Sequence, residues 1–361
     1  MRALLGAALV LLAAAIAPLV AQEAPSSPAS NYRLLSADDA AQLERRLNAA
    51  AEEGFELVAV AGGTDVAGKP RLAALAQRAT GPAADYRVLA CASAGAEAAR
   101  DELAKLGAEG YRLGPQTITA RMLRDVNLPE SAYDDQLTLV LARHDDGAHY
   151  EFHSLSFADF EPFQNDLTRL RGEGFELLGM WNTGRKLEAI LQRRSGPSPV
   201  AAMRLAVELR LLLPPTRLVL GKKLESLASD GFRILAATEP SITGPAIVLL
   251  ERSAITGDNL DYKLADDLPA KQRQDALEKR LNKRARKSWR VSRRGVTAET
   301  IVLERPNRWV HTEPFAYRLL SSRRAPGLEP VLEQATRDGY AFVRLFVEPE
   351  ETTVLVEKPG R

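Results

Sequence analysis

The sequence predicts an α+β fold of six tandem βαββ units, three-stranded sheets each with one helix, pairing or stacking into one continuous body. Three observations carry this. A turn glycine recurs at Gly54, Gly110, Gly174, Gly231 and Gly339, with Ser288 in its place in the fifth copy, at intervals of 56, 64, 57, 57 and 51 residues. Leucine stands seven residues before each turn, at Leu47, Leu103, Leu167, Leu224, Leu281 and Leu332, and an aromatic follows each one directly: Phe55, Tyr111, Phe175, Phe232, Trp289 and Tyr340. Self-similarity at a near-constant period marks a repeat architecture.

Each element follows from local chemistry. The units begin near Tyr32, Tyr86, Tyr150, Leu205, Tyr262 and Tyr317 with a short strand such as Tyr32-Arg-Leu-Leu. A helix comes next: Leu220, Leu224 and Leu227 of the fourth unit share one apolar stripe at helical spacing. Ser36 with Asp39 three residues on reads as a capping box at the first helix start. The glycine ends the helix in the left-handed region. Alternation then changes to period two, with Phe55, Leu57 and Ala59 on one face of a strand and Glu56, Val58 and Val60 on the other. A last strand completes each unit, at Leu137–Arg143, Ala189–Arg193, Ala246–Arg252, Thr300–Arg305 and Thr353–Lys358.

The units span 32–79, 86–143 (with an insertion at 114–136), 149–194, 203–252, 261–306 and 315–358. About 55 residues with one helix on one sheet face is marginal alone. The last strands are apolar on both faces, as in Ala246-Ile-Val-Leu-Leu, so the uncovered face must pack on another unit.

The pattern resembles a small bacterial family of unassigned chemistry that reads Y-x-V, then L-N-x-x-G-x-E-G-W-E-L-V, then A-I-L-x-R. Leu47-Asn48-Ala49-Ala50-Ala51-Glu52-Glu53-Gly54-Phe55-Glu56-Leu57-Val58 is the nearest copy, and Ala189-Ile190-Leu191-Gln192-Arg193 matches the closing strand. The fourth unit departs by lacking the opening tyrosine and the fifth by lacking the glycine. The resemblance implies the fold and no activity.

Ahead of the units, residues 1–21 read as a secretory signal: Arg2, an uncharged apolar run Ala3 to Ile16, then Pro18, with cleavage after Ala21. An uncleaved anchor is the alternative, for which the run is short. Residues 22–31 form a polar spacer. The expectation is a periplasmic or secreted bacterial protein. Net charge is +1, so bulk electrostatics does not draw the chain to nucleic acid or membrane. One cysteine, Cys91, excludes an internal disulfide.

Candidate sites are sought where the pattern breaks. His144, His149, Glu151 and His153 cluster at the junction of units two and three, and imidazole and carboxylate at i, i+2 and i+4 of a strand would suit zinc or copper. The plainer reading is an exposed polar face. Between Lys271 and Arg294, eleven basic residues stand against Asp275 and Glu278. Lys279, Arg280, Lys283, Arg284, Arg286, Lys287, Arg290, Arg293 and Arg294 would suit an anionic partner: envelope lipid, lipopolysaccharide or an acidic protein. A solvated face is the plainer reading here too. The acidic residue before the turn glycine is expected to pair with a first-strand arginine (Arg33, Arg87 or Arg318) or with a backbone donor. No nucleophile elbow, phosphate loop or paired metal motif is present in the sequence. These features favour a non-catalytic exported repeat protein, a binding or assembly scaffold of the cell envelope. Metal binding at the histidines and small-ligand binding between paired repeats are the alternatives.

Overall fold

The computed structural model describes residues 31–359 except 66–68, 92–94, 122–135, 183–185, 197–206, 214–215, 239–245, 254–259, 265–273, 297–300, 307–313 and 324. The signal segment and spacer expected before residue 31 lie outside the described residues.

Six βαββ units follow one another. Unit one is β1 (Tyr32–Ala37), α1 (Ala40–Glu52), β2 (Phe55–Thr64) and β3 (Pro70–Arg78). Unit two is β4 (Asp85–Cys91), a 3-10 turn (Ala96–Ala99) running into α2 (Arg100–Ala108), β5 (Tyr111–Arg121) and β6 (Gln136–Arg143). Unit three is β7 (Tyr150–Phe157), α3 (Phe160–Gly172), β8 (Glu176–Asn182) and β9 (Leu187–Arg194). Unit four is β10 (Val207–Leu212), α4 (Arg217–Ser229), β11 (Arg233–Thr238) and β12 (Ile247–Ser253). Unit five is β13 (Leu260–Leu264), α5 (Gln274–Ala285), β14 (Arg290–Val296) and β15 (Ile301–Pro306). Unit six is β16 (Phe315–Ser322), α6 (Ala325–Arg337), β17 (Ala341–Val347) and β18 (Thr352–Pro359). In every unit the last strand is central, hydrogen-bonded antiparallel to the other two.

The units close into a ring. Helix α1 packs on β4, α2 on β7, α3 on β10, α4 on β13 and α5 on β16, and α6 returns to β1. The second strands meet in the same cyclic order, β2, β5, β8, β11, β14, β17 and β2 again, and so form the inner wall. Each helix therefore lies between its own sheet and the next. In the closing junction, Leu328, Leu332 and Ala335 of α6 share a core with Leu345, Val354 and Val356 of unit six and with Tyr32, Leu34, Ala73 and Leu75 of unit one. The doubly apolar central strands are thus accounted for: Val302 of β15 joins the core under α4, and Leu303 the core under α5.

The sheets do not pair edge to edge, because each first-strand edge is occupied by the preceding helix. Side chains of Glu44, Gln164, Glu278 and Glu329 accept from the backbone N–H of Val88, Leu211, Leu319 and Leu34, at 2.8–3.0 Å. Asn48 bonds both backbone groups of Tyr86, and Asn282 does the same for Tyr317. Such cover removes an edge that could otherwise recruit a strand.

Details correct the expected pattern. Register places Phe152, opposite Gln192, and Leu209, opposite Glu251, where Tyr317 stands opposite Glu357, so units three and four are counted from these residues rather than Tyr150 and Leu205. A bulge at Val58 reverses the alternation of β2, so that Val60 joins Phe55 under α1 while Ala59 faces the other core. Ser36 belongs to β1; the cap of α1 is Asp39, which accepts from Gln42 N–H at 2.7 Å. Glu53 pairs with Arg33 at 2.7 Å and Asp338 with Arg318 at 3.0 Å, as expected, but Arg87 turns to Glu44 of α1. Ser288 retains the glycine's conformation at φ 62, and Trp289 N–H still bonds the Arg284 carbonyl, so the fifth unit keeps its backbone cap.

The aromatic after each turn is held from above by the cation ending the last strand: Arg78, Arg143, Arg193, Arg252, Arg305 and Lys358 lie 4.4–4.9 Å from the ring centroids of Phe55, Tyr111, Phe175, Phe232, Trp289 and Tyr340. Four of these cations are tied to an acid at the first strand: Asp85, Glu151, Glu208 and Asp261.

A Cβ on Gly63 would sit 2.7 Å from the Val347 carbonyl across the closing junction, whereas one on Gly172 in α3 would meet nothing. Gly63→Ala should therefore lower stability by about 1–3 kcal/mol and Gly172→Ala raise it by about 0.5–1 kcal/mol, both read from chemical denaturation. Ser288→Gly relieves a left-handed residue and should raise stability by about 1 kcal/mol in the same assay.

Candidate functional site

The inner wall encloses an axial cavity of about 1360 Å³, lined by residues of all six second strands. Its shape comes from the bulges near the start of those strands. In β2, β8, β11 and β17 one residue is extra: Val58, Leu178, Leu235 and Val343. In β5 and β14 the register advances five residues against two on the partner, so Gly114–Thr117 and Ser292–Gly295 stand out of the ladder. Units two and five are opposite members of a six-membered ring, so the two large bulges enter the axis from opposite sides.

The β5 bulge is internally braced. Thr117 Oγ1 accepts from Gly114 N–H at 3.1 Å and donates to the Gly114 carbonyl at 2.8 Å. Gln116 takes φ 57 and its amide donates to the Val343 carbonyl of unit six at 3.1 Å, a contact between non-adjacent units. The β14 bulge carries Arg293 and Arg294 to the cavity. Arg293 and Arg290 both reach Glu357 of unit six, at 3.2 and 2.6 Å, and Glu357 is almost fully buried.

Opposed charges line the cavity: Arg112, Arg193, Arg194, Arg293, Arg294 and Arg344, with Glu56, Asp146, Glu176 and Glu348. Asp146 is held below its ordinary range by the Ala148 N–H and then by Arg194 and Arg112. Burial, followed by the neighbouring Glu351, pushes the Glu348 carboxyl up. The apolar wall includes Val58, Ile118 and Leu178, all half-buried.

The histidine set does not converge on one point. His144 lines the cavity with Nε2 3.8 Å from Glu56 of unit one, Glu151 pairs with Arg193 at 2.5 Å, and His153 packs on Phe175 with ring centroids 5.9 Å apart. Burial and then Arg169 and Arg100 push His153 below its ordinary value. His149 is exposed and its carbonyl accepts from Ser195 N–H. Among the described residues no three His, Cys, Asp or Glu side chains are grouped for a metal ion.

The basic run does not form one surface. Lys279, Lys283, Arg286 and Lys287 are exposed on α5 and its end, while Arg280 and Arg284 are half-buried. Arg290 is committed to Glu357, and Arg293 and Arg294 belong to the cavity. The structure thus divides the expected anion-binding set and joins part of it to Arg112 and Arg194, which the sequence did not single out. Gly114-Pro115 and Arg293-Arg294-Gly295 are the sequence traces of the two bulges. Cys91 is half-buried beside the core under α2, and burial pushes its thiol up.

Truncation of Glu357 to alanine leaves two guanidinium groups facing each other at the junction of units five and six. Both remain partly exposed, so Glu357→Ala should cost about 2 kcal/mol, less than for a fully enclosed pair; urea denaturation measures it.

No model of a known protein family matches this chain, and no curated protein matches it.

Proposed function

We propose that this chain is an exported, non-catalytic binding protein of the cell envelope, in which the ring is scaffold and the axial cavity is the recognition site. The observation that carries the reading is convergence: the enlarged bulges of units two and five, and His144 from the histidine junction, all border one cavity. Pattern-breaking residues gathered at one concave site are the ordinary sign of recognition on a repeated frame.

Export and binding are tested together. The full chain, expressed in a Gram-negative host, should appear in the periplasm or medium with a mature mass beginning at Gln22. Native mass spectrometry of that material should show a retained small molecule, lost in Val58→Trp, which obstructs the cavity from β2. Equal retention by a folded Val58→Trp would overturn the cavity, and turnover in hydrolase or transferase screens would overturn the non-catalytic reading.

A further inference from the structure

We propose that the axial cavity takes an amphiphilic anion, a carboxylate- or phosphate-bearing molecule with an apolar body; this rests on the cavity being the binding site. Elsewhere in the ring most exposed strand-end arginines are answered by an acid, as Arg143 is by Asp85, Arg252 by Glu208 and Arg305 by Asp261, while Arg78 stacks on Phe55. The cavity breaks that habit. Arg112 at the start of β5, Arg194 at the end of β9 and Arg294 in the β14 bulge all line it. Among the described residues none of the three has a carboxylate within ion-pair distance. Asp146 feels both Arg194 and Arg112, and Arg294 adds a third guanidinium from the opposite side of the ring; with Glu56, Glu176 and Glu348 also lining the cavity, six guanidinium groups stand against four carboxylates.

A guanidinium presents a fixed fork of donors that fits carboxylate and phosphate oxygens, and a concave, partly apolar wall strengthens the field it sets up. The volume distinguishes the class further. About 1360 Å³ exceeds what a bare oxyanion fills, since ordinary ligand cavities of ~300–1000 Å³ already hold drug-sized molecules. The wall beside the arginines supplies the half-buried Val58, Ile118 and Leu178 for an apolar body.

The test uses two fluorescent probes of similar aromatic frame on the full mature chain: anionic 1-anilinonaphthalene-8-sulfonate and neutral N-phenyl-1-naphthylamine. The anionic probe should bind saturably and with 1:1 stoichiometry, weaken as salt is raised, and be displaced by decanoate but not by equal inorganic phosphate. Arg112→Gln and Arg294→Gln should each weaken it about tenfold. Lys222→Gln and Lys223→Gln on the exposed face of α4 should leave it unchanged. Anionic binding indifferent to salt and to both arginine variants would overturn the proposal, as would displacement by phosphate and not decanoate. Saturable binding of the neutral probe alone would overturn the anionic class and leave the cavity as the site. Failure of both probes would remove the cavity reading itself. The salt dependence needs no variant, so a variant that fails to fold does not shelter the proposal.

Discussion

A three-stranded sheet that is apolar on both faces has to be covered twice, and every other feature of this molecule depends on how that is done. One helix per unit covers one face. The second face becomes the cover for the helix of the unit before, so each helix is enclosed between two sheets. An open array built this way would leave α6 uncovered at one end and the outer face of β1 and β3 at the other. Ring closure satisfies both at once, through the core shared by Leu328, Leu332, Tyr32 and Leu75. Solenoids resolve the same difficulty with polar capping repeats; here the last unit caps the first.

The junctions show how the copies diverged without losing the plan. A bulge leaves a backbone N–H unpaired in its own sheet, and in three junctions a tyrosine hydroxyl of the next unit accepts it: Tyr86 from Leu57, Tyr262 from Ile234 and Tyr317 from Val291, at 2.8–2.9 Å. Burial pushes the Tyr86 and Tyr262 hydroxyls up to about 12, so they stay protonated. Unit three has Phe152 at this position and no hydroxyl to offer. There the Gln192 amide, directly across the sheet from Phe152, accepts from Leu113 N–H and donates to its carbonyl. A buried backbone group that loses one partner needs another, and the replacement came from a neighbouring strand rather than from the same position.

The inner wall is under a different constraint. Second strands contact one another through side chains and bulges rather than through a shared hydrogen-bond ladder, so their register is free to differ from unit to unit. Four units use a single extra residue and two use three. Variation that would disrupt the outer junctions is tolerated at the axis, where it shapes a cavity instead of breaking a core. Charge follows part of the same division: outer arginines such as Arg252 stack on aromatics and pair with acids, while Arg112, Arg194 and Arg294 line the cavity without such an acid.

Periodicity alone determined the unit, its helix stripe, its turn and its three strands, because 3.6- and 2-residue spacing and the left-handed turn are local properties of the chain. It also determined that each sheet needed a second cover, since the last strands are apolar on both sides. Local chemistry could not place the bulges: Val58 looks like any alternating valine until its partner strand is known. Nor could it show that unit six meets unit one, because Glu333 and Asn31 stand 302 residues apart and no local signal links them. The same holds for the site. Arg112 and Arg194 are unremarked cations in the sequence and Arg294 is one of a basic run, and the three share a cavity only because the ring folds their strands to one axis.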